Sequence, residues 1–308
     1  MIYYFAPMEG LTDNIYRQAH HRFFGGVDRY YMPFFSPTVH QTLTPRESRE
    51  LPKADSVPFS TVPQVLTKCA EDFLWAARVC RDLGYREINL NIGCPSGTVV
   101  AKGKGSGMLR DLEELERFFD NIFAASSLPV SVKTRIGLEN AEEFPAVLDL
   151  YNRYPIKELI IHPRVRRQFY DGAVHREWFA YAMAQSRIPL CFNGDIRTLA
   201  DIAAVQAAYP GLKSVMIGRG LIADPGMLCG GTDIAALEAF LNALMDAYEI
   251  AFSGSRNALF RMKENWAHLH GRFQDSEKLW KKMRKTTDAA QFRLLSSEVL
   301  HTCPMNND

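Results

Sequence analysis

The sequence predicts an α/β protein, a (β/α)8 TIM barrel followed by a C-terminal all-α helical domain. Eight short β-branched or apolar runs alternate with longer helical patterns, as in a parallel sheet covered by helices. After Gly230–Gly231 no strand-like run follows. The length of 308 residues suits one large domain with an appendage. We therefore expect a barrel over residues 1–235 and a helical domain over 236–308. A doubly wound sheet shares the same alternation and stays open as an alternative.

The predicted strands and helices follow one another along the barrel region. The strands are Ile2–Ala6, Arg29–Met32, Pro63–Leu66, Glu87–Asn91, Pro129–Thr134, Glu158–His162, Leu190–Asn193 and Ser214–Ile217. The helices between the later strands are Ala70–Leu83, Leu112–Ala125, Phe144–Tyr154 and Leu199–Tyr209. In the helix that begins at Leu112, apolar residues recur every three or four positions, which gives it one buried face.

The C-terminal region has the pattern of a set of helices. Asp233 is placed to cap a helix that runs to about Phe252, where Ser253–Gly254–Ser255 ends it. Two or three more helices reach Leu300. We expect the tail HTCPMNND, residues 301–308, to fray because nothing in its sequence anchors it.

Charge and cysteine content limit the class of protein. The chain has 36 Lys and Arg against 35 Asp and Glu, and this balance taken as a whole argues against a nucleic-acid partner. Six cysteines without a CxxC pair indicate reduced thiols rather than a disulfide framework or metal cluster. The N-terminus lacks a signal-peptide pattern, and no stretch approaches the roughly 18–20 apolar residues that span a bilayer. We expect a cytoplasmic monomer with no metal, no membrane contact and no obligate protein partner.

Polar and glycine-rich groups follow most of the predicted strands. In a barrel these strand ends meet at one rim, where active sites lie. Glycines at positions 194, 218 and 220 follow the last two strands and, with the Arg219 guanidinium, predict a phosphate site. Ordinary turns with an exposed arginine are the alternative. Lys133 on the fifth strand is placed to reach a cofactor or a substrate, unless it extends to solvent.

Cys94 differs in its setting from the other five cysteines. It follows the fourth strand between Gly93 and Pro95, and its loop continues through a glycine-rich stretch, residues 97–107, that we interpret as a flexible lid. A thiol on such a loop can donate a proton or act as a nucleophile, whereas a small turn residue is the alternative. The lid matches neither a dinucleotide-binding nor a P-loop pattern.

Six sequence blocks lie at the predicted strand ends. They are APMEGLTD (6–13), NIGCP (91–95), VSVKTRIG (130–137), HPRVRRQFYDG (162–172), NGDI (193–196) and VMIGRG (215–220). Together they resemble the tRNA-dihydrouridine synthases, over about residues 3–225 and more loosely over the helical tail. Two positions depart from the family pattern, because Asn89 stands where aspartate is usual and Pro163 stands where glycine is common. The loop Gly105–Ser106–Gly107–Met108–Leu109 departs as well, since the family usually reads closer to GxGAxLL there.

The resemblance implies an FMN-binding barrel, a helical RNA-binding domain, and reduction of the C5–C6 double bond of a uridine in tRNA with NADPH as reductant. By motif, the flavin ring would be contacted by Pro7, Met8, Gln64, Lys133 and His162. The ribityl phosphate would be held by Asn193, Gly194, Asp195, Gly218 and Arg219. The residues near the uracil would be Asn91, Arg164 and Gln168.

The resemblance also suggests what Cys94 does. Hydride transfer to C6 of the uracil leaves negative charge at C5 and O4, so an acid must protonate C5. Cys94 fits this role, because a thiol with an ordinary pKa of about 8.5 keeps its proton at neutral pH. Lys133 or Arg164 would stabilise the developing enolate. The uridine must leave the tRNA interior to reach such a site.

The positive charge is concentrated in the tail. Residues 256–285 carry nine basic and three acidic side chains, a local balance of +6, so that the rest of the chain sums to −5. This segment, with Arg261 and Lys263 as candidates, predicts a tRNA-binding face, and a solvated helix is the alternative. Its aromatic residues Trp266, Phe273 and Trp280 are more typical of a core than of base stacking.

Two other functions stay open at this stage. An FMN-dependent barrel oxidoreductase acting on a free pyrimidine or another small molecule would use the same flavin residues and a cysteine, without needing the basic tail. A non-catalytic RNA-binding protein would have lost its flavin, which the retention of Lys133, His162 and Arg219 argues against.

Overall fold

The computed structural model describes residues 1–306, and these divide into two compact units. The first unit comprises Met1–Pro7, Asp28–Gly194 and Ala204–Met216. The second comprises Met8–Val27, Asp195–Ala203 and the described chain from Ile217 onward. The boundary predicted at residue 235 separates the part of the chain that contains strands from the part that contains only helices, and it does not coincide with the division into compact units. The domain boundary stays a prediction.

Parallel strands form one nine-stranded sheet in the described residues. The strands are β1 (Ile2–Phe5), β2 (Arg29–Tyr31), β3 (Thr61–Val62), β4 (Gln64–Val65), β5 (Ile88–Ile92), β6 (Val130–Arg135), β7 (Leu159–His162), β8 (Leu190–Phe192) and β9 (Ser214–Ile217). Their order across the sheet is β3-β2-β1-β9-β8-β7-β6-β5-β4. The outermost strands, β3 and β4, are separated only by Pro63, so the sheet returns on itself as a barrel. The prediction of a TIM barrel is confirmed.

All eight predicted strands are present, with ends within one residue of those predicted. The ninth arises at Pro63, which has no N–H to donate and therefore divides the third strand in two. Its first half, Thr61–Val62, pairs with β2, whereas Gln64–Val65 pairs with β5. The prediction began this strand at Pro63 and so missed the half that closes the barrel.

Helices connect and follow the strands. They are α1 (Asn14–Phe23), α2 (Pro45–Glu50), α3 (Ala70–Asp82), α4 (Gly97–Val100), α5 (Leu112–Ala125), α6 (Phe144–Tyr151), α7 (Arg176–Gln185), α8 (Leu199–Ala208), α9 (Arg219–Ala223), α10 (Ile234–Ala251), α11 (Ser255–Leu269), α12 (Glu277–Lys285) and α13 (Ala289–Thr302). The predicted buried face of α5 is confirmed, since Leu115, Phe118 and Ile122 are buried. The Phe118 ring meets Phe73 of α3 edge-on, with ring centroids 6.2 Å apart.

In the second unit, α1 packs against α10. Phe240 is 1% exposed, and its ring meets those of Tyr16 and Phe24 edge-on at 5.5 and 5.3 Å between centroids. The cap of α10 is as predicted, because the Asp233 carboxylate accepts a hydrogen bond from the Ala236 amide at 2.9 Å. The helix then ends at Ala251, before the predicted break.

The prediction of a frayed tail is wrong for residues 301–306. Helix α13 continues to Thr302. Beyond it, the Pro304 carbonyl accepts from the Gln274 amide at 2.9 Å, and the Asn306 amide donates to the Arg272 carbonyl at 2.8 Å. These backbone bonds anchor the segment to a loop 30 residues earlier in the chain, a pairing that local composition does not reveal. The last two residues of the predicted tail lie outside the described residues.

Candidate active site

Three neighbouring strands of the first unit carry chemically useful side chains to one edge of the barrel. In the sheet register Asn91 of β5 lies beside Lys133 of β6, and Arg135 lies beside His162 of β7. Cys94 follows β5 by two residues. Because parallel strands end at the same edge, these groups share the face on which barrel enzymes place their active sites.

The Cys94 loop is held by its own backbone. The Asn91 side-chain oxygen accepts hydrogen bonds from the Gly93 and Cys94 amides at 3.0 and 2.9 Å. The Cys94 carbonyl accepts from the Ser106 hydroxyl at 2.8 Å. Gly105 has a φ of +58°, and a Cβ there would lie 2.9 Å from that same carbonyl, so only glycine fits. The loop therefore presents a half-buried thiol in a defined position.

The glycine-rich stretch after Cys94 differs from its prediction. Residues 105–110 form a 3-10 helix, and residues 105–109 are buried. The prediction of a flexible lid is wrong for these residues, because the glycines allow close packing here rather than mobility. A Cβ at Gly107 would lie 2.9 Å from the Val100 carbonyl oxygen, closer than real Cβ atoms approach.

Gln64 and Asn91 are joined directly. The Asn91 amide nitrogen donates to the Gln64 side-chain oxygen at 2.8 Å, and the Gln64 nitrogen donates to the Asn89 side-chain oxygen at 2.7 Å. All three side chains are buried. Since a primary amide carries two N–H donors, one N–H of Gln64 stays available to another group.

Lys133 is a half-buried cation without a counter-ion. Within residues 1–306 its ammonium has neither a hydrogen bond nor an ion pair. Burial lowers its pKa from 10.5 to about 8, and the nearby Arg135 guanidinium acts in the same direction. Cys191 and Cys94 act on the Lys133 pKa in the opposite direction. An unpaired amine at a strand end is suited to a ligand that brings acceptors or negative charge.

Arg135 was not among the predicted site residues, although it lies two positions after Lys133 on the same face of β6. It is 1% exposed. Its guanidinium donates to the carbonyls of Gly93 at 3.0 Å, Val165 at 3.0 Å and Phe169 at 2.6 Å. It therefore joins the Cys94 loop to the loop after β7. Its position two residues from Lys133 was the signal that could have identified it.

His162 and Arg164 also meet. The Arg164 guanidinium donates to His162 Nε2 at 3.2 Å and to the Gly172 carbonyl. Arginine has no acceptor, so Nε2 must carry the lone pair and the ring proton lies on Nδ1. The His162 ring centroid is 5.9 Å from that of Tyr170, which is 53% exposed. Tyr170 is a second residue that the sequence did not single out.

Gln168, predicted near the uracil, braces its own loop. Its side-chain oxygen accepts from the Val165 amide at 2.9 Å and lies 3.2 Å from His175 Nε2. The next residue, Phe169, adopts a φ of +50°, which is unusual for a bulky side chain. The Arg166 guanidinium lies over its ring, 5.2 Å from the centroid. The turn thus leaves an aromatic residue beside the strand end of β7.

Two residues predicted to contact the flavin ring, Pro7 and Met8, and those predicted to hold its phosphate are distributed over both units. Pro7, Asn193 and Gly194 belong to the first unit, where the Asn193 amide nitrogen donates to the Met216 carbonyl at 2.8 Å. Met8, Asp195, Gly218 and Arg219 belong to the second. There Gly218 precedes α9, and Arg219 pairs with Asp195 at 2.9 Å.

The predicted RNA-facing residues of the tail are engaged with the backbone of their own unit. Arg261 donates to the Gly10 carbonyl at 2.6 Å, and Lys263 donates to the Thr286 carbonyl at 2.6 Å. Trp266 and Phe273 are buried, as predicted. Trp280 is half-buried and stacks on His270, with ring centroids 5.0 Å apart.

Helix α12 carries most of the exposed positive charge of the tail. Met283 is its one buried residue. Its exposed cations are Lys278, Lys281, Lys282, Arg284 and Lys285. In the part of the chain that the structure describes, none of these five has a carboxylate within ion-pair distance. The charges therefore face solvent uncompensated.

No group of three or more His, Cys, Asp and Glu side chains in residues 1–306 is arranged to hold a metal ion. No helix in the same range combines the length and apolar character needed to cross a bilayer.

Comparison with known proteins identifies the family. The model of the dihydrouridine synthase family matches residues 4–300. The chain belongs to the dihydrouridine synthase family. Its relatives include the tRNA-dihydrouridine(16) synthase of Cupriavidus necator, 31% identical over 229 residues, which are 72% of this chain and 70% of that protein. A probable tRNA-dihydrouridine synthase of Rhodobacter capsulatus is 30% identical over 229 residues, 72% of this chain and 68% of that protein.

Solved structures share the fold of this family member at low sequence identity. Morphinone reductase is 12% identical with a TM-score of 0.53, and the similarity covers 74% of this chain and 84% of that one. Histamine dehydrogenase from Rhizobium is 12% identical with a TM-score of 0.54, covering 73% of this chain and 44% of that one. These similarities support the barrel architecture.

Proposed function

We propose that this protein is a tRNA-dihydrouridine synthase, an FMN-dependent oxidoreductase that reduces the C5–C6 double bond of a uridine in tRNA with NADPH. Family membership gives the reaction class. The observation that carries the proposal at the level of residues is the meeting of two groups at one barrel edge. These are the Cys94 thiol, whose loop is bonded to Asn91, and the Lys133 ammonium, which lies beside Asn91 in the sheet register and has no bonding partner in residues 1–306.

The first unit contains groups that fit a flavin ring. Lys133 brings a half-buried cation without a protein partner in residues 1–306, and Gln64 retains one amide N–H after its bonds to Asn89 and Asn91. His162 lies beside Arg135 in the sheet register, and its Nε2 accepts from Arg164. Carbonyl oxygens and ring nitrogens are the acceptors that such donors need. When bound, FMN supplies the hydride for C6 of the uracil.

Cys94 is the proposed proton donor to C5. Its Sγ proton would be delivered to the carbon that gains negative charge, on the side of the uracil where the loop presents the thiol. Asn91 keeps the thiol in place by binding the Cys94 amide, and Arg135 holds the Gly93 carbonyl. A fixed donor removes the entropy cost of finding the reactive geometry.

Lys133 suits the developing enolate charge better than Arg164 does. The Arg164 guanidinium is 1% exposed and already donates to His162 and Gly172. The Lys133 ammonium makes no hydrogen bond or ion pair among residues 1–306. A preorganised cation near the charge that forms in the transition state stabilises that charge more than a cation that must first break its bonds to other partners.

The second unit supplies the proposed tRNA-binding face. Helix α12 presents five exposed cations without carboxylate partners in the described chain. Such a surface attracts a phosphate backbone and releases its counterions. Arg261 and Lys263, bonded to backbone carbonyls, are proposed to support this face more than to contact phosphate. We further propose a cytoplasmic, monomeric enzyme without an obligate protein partner.

A substrate comparison tests the proposal. The purified protein is expected to be yellow, with flavin absorption bands, and to oxidise NADPH faster when tRNA lacking dihydrouridine is added. Free uridine and uracil serve as matched controls and are expected to give no acceleration. Equal acceleration by free uridine would instead support an oxidoreductase of small pyrimidines. A colourless protein that binds tRNA without oxidising NADPH would support a non-catalytic RNA-binding function.

A further inference from the structure

One unbroken series of hydrogen bonds runs through the barrel of the first unit, from the Cys94 loop to the opposite end of the strands. We call it the Glu87 series. Donor first, its links are Cys94 N to Asn91 Oδ1 (2.9 Å), Asn91 Nδ2 to Gln64 Oε1 (2.8 Å), Gln64 Nε2 to Asn89 Oδ1 (2.7 Å), Asn89 Nδ2 to Ser131 Oγ (2.9 Å) and Ser131 Oγ to Glu87 Oε1 (2.6 Å). All five side chains are buried.

The direction of every link follows from its two ends. The Asn91 oxygen accepts two backbone N–H groups, so the Asn91 nitrogen must face Gln64. Gln64 must then present its oxygen to Asn91 and its nitrogen to Asn89. The Asn89 oxygen therefore accepts from Gln64, and the Asn89 nitrogen donates to the Ser131 oxygen. The Ser131 hydroxyl in turn donates its proton to Glu87.

Glu87 closes the series because it is the member that only accepts. It lies directly before β5 and is 5% exposed. Lys157 donates to its second oxygen, and the Arg29 guanidinium lies 3.5 Å from that oxygen. An acceptor-only group at one end and two fixed amides at the other leave no second orientation that satisfies every buried atom.

We infer that Glu87, Ser131 and Asn89 are positioning residues for the proposed active site. They complete the far end of the series and so hold the Gln64 and Asn91 amides in the one orientation that the Gly93 and Cys94 amides require. Through Asn91 they hold the Gly93 and Cys94 amides, and with them the thiol. The catalytic consequence rests on the proposed function, whereas the hold on the loop does not.

Asn89 is the link on which the direction of the series depends. An amide can accept from Gln64 and donate to Ser131 at once, as it does here. A carboxylate at this position would only accept, so the Ser131 hydroxyl would turn toward it and leave Glu87. Asn89, where the sequence departs from its family pattern, therefore has a structural role in this series.

Paired variants in the barrel core test the inference. Ser131→Ala and Asn89→Leu break the series. Ser214→Ala is the matched control, since Ser214 is also a buried serine bonded to a buried glutamate, Glu158, but lies outside the series. Glu87→Gln and Glu158→Gln form a second matched pair. Ser131→Thr keeps the hydroxyl and is expected to retain wild-type behaviour.

The first readout is amide hydrogen–deuterium exchange of Gly93 and Cys94 in the flavin-free protein. We expect exchange at least tenfold faster in Ser131→Ala and Asn89→Leu, and within twofold of wild type in Ser214→Ala and Ser131→Thr. Equal protection in Ser131→Ala and wild type would overturn the inference. If Ser131→Ala does not fold, Asn89→Leu and Glu87→Gln give the same comparison against Glu158→Gln.

The second readout separates the inference from the proposed function. With tRNA and NADPH, Ser131→Ala and Asn89→Leu are expected to lower kcat at least tenfold, with a changed visible circular dichroism of the bound flavin and less than a threefold change in the KM for tRNA. An inactive wild-type protein would contradict the proposed function and leave the exchange result standing. Faster exchange combined with unchanged kcat and flavin spectrum would overturn the positioning role.

Discussion

At the residue scale, the proposed chemistry depends on one thiol and one amine in unlike environments. Cys94 is held by backbone contacts, as its amide binds Asn91 and its carbonyl binds Ser106. The Lys133 side chain is half-buried, and its ammonium has no hydrogen bond or ion pair in residues 1–306. The sequence predicted both residues from their positions at strand ends, Lys133 on a strand and Cys94 just after one. It did not predict Arg135, because the three carbonyls that Arg135 binds come together only in the folded chain.

Replacing the thiol tests the proton donor. In Cys94→Ala we expect flavin and tRNA to bind as in wild type, while turnover falls by about 100-fold or more, the usual contribution of a positioned general acid. The measurement is single-turnover formation of dihydrouridine after reduction with NADPH. Cys69→Ala, which removes an exposed thiol from the start of α3, is the control and should leave the rate unchanged. Near-normal turnover in Cys94→Ala would refute the assignment.

Replacing Lys133 tests the free-energy cost of burying its charged ammonium. Its pKa falls from 10.5 to about 8 on folding, so the folded state binds fewer protons between these pH values. Stability therefore rises with pH across this window, and the penalty is fully present below about pH 8. We expect Lys133→Met to raise the free energy of unfolding at pH 7 by about 1–3 kcal/mol and to abolish this rise.

Urea denaturation at pH 7 and pH 10 measures this effect, and the difference between the two proteins removes the titration of other groups. The same variant is expected to lose activity, because the site loses its cation. A variant that is less stable than wild type at pH 7 would show that Lys133 has a stabilising partner rather than a penalty.

At the element scale, the strands were predictable to within one residue because buried parallel strands are short apolar runs between turn residues. Two segments were not predictable. The stretch 105–109 has the composition of a mobile loop but is buried, and the tail beyond residue 300 is anchored by backbone bonds to residues 272–274. Composition describes local flexibility, whereas both outcomes depend on distant parts of the chain.

Helix α12 gives the prediction that belongs to this scale. Replacing Lys278, Lys281 and Lys282 with glutamine is expected to weaken tRNA binding and to reduce the dependence of log Kd on log salt by about 0.7–0.9 for each phosphate that is no longer neutralised. Kd measured over a series of salt concentrations gives both quantities. Glutamine at the exposed residues Arg78, Arg81 and Arg117 is the control with equal charge removed. Identical salt dependence in the two triple variants would exclude α12 as the binding face.

At the scale of the whole molecule, net charge was a poor guide to partners. The value of +1 averages a +6 segment with a −5 remainder. The division into units was equally hidden, because residues 8–27 near the start of the chain belong with α10 near its end. The sequence predicted α10 as a helix but did not predict α1, and it does not reveal which element covers the apolar face of α10.

The packing of α1 against α10 predicts that removing the Phe240 ring lowers the free energy of unfolding strongly. Phe240 is 1% exposed and contacts the rings of Tyr16 and Phe24. We expect Phe240→Ala to lower the free energy of unfolding by about 3–5 kcal/mol, as is usual for a large buried ring. Leu294→Ala, at a residue 72% exposed, should change it by less than about 0.5 kcal/mol. Similar values for both in urea denaturation would contradict the packing described.

The most direct test of the proposed function is the product itself. The purified protein, NADPH and tRNA without dihydrouridine are incubated together, and the nucleosides of the recovered tRNA are analysed by mass spectrometry. We predict that dihydrouridine appears at a uridine position with the wild-type protein and is nearly absent with Cys94→Ala. Full NADPH-dependent activity on another substrate, with tRNA uridines unchanged by the wild-type protein, would contradict the proposal.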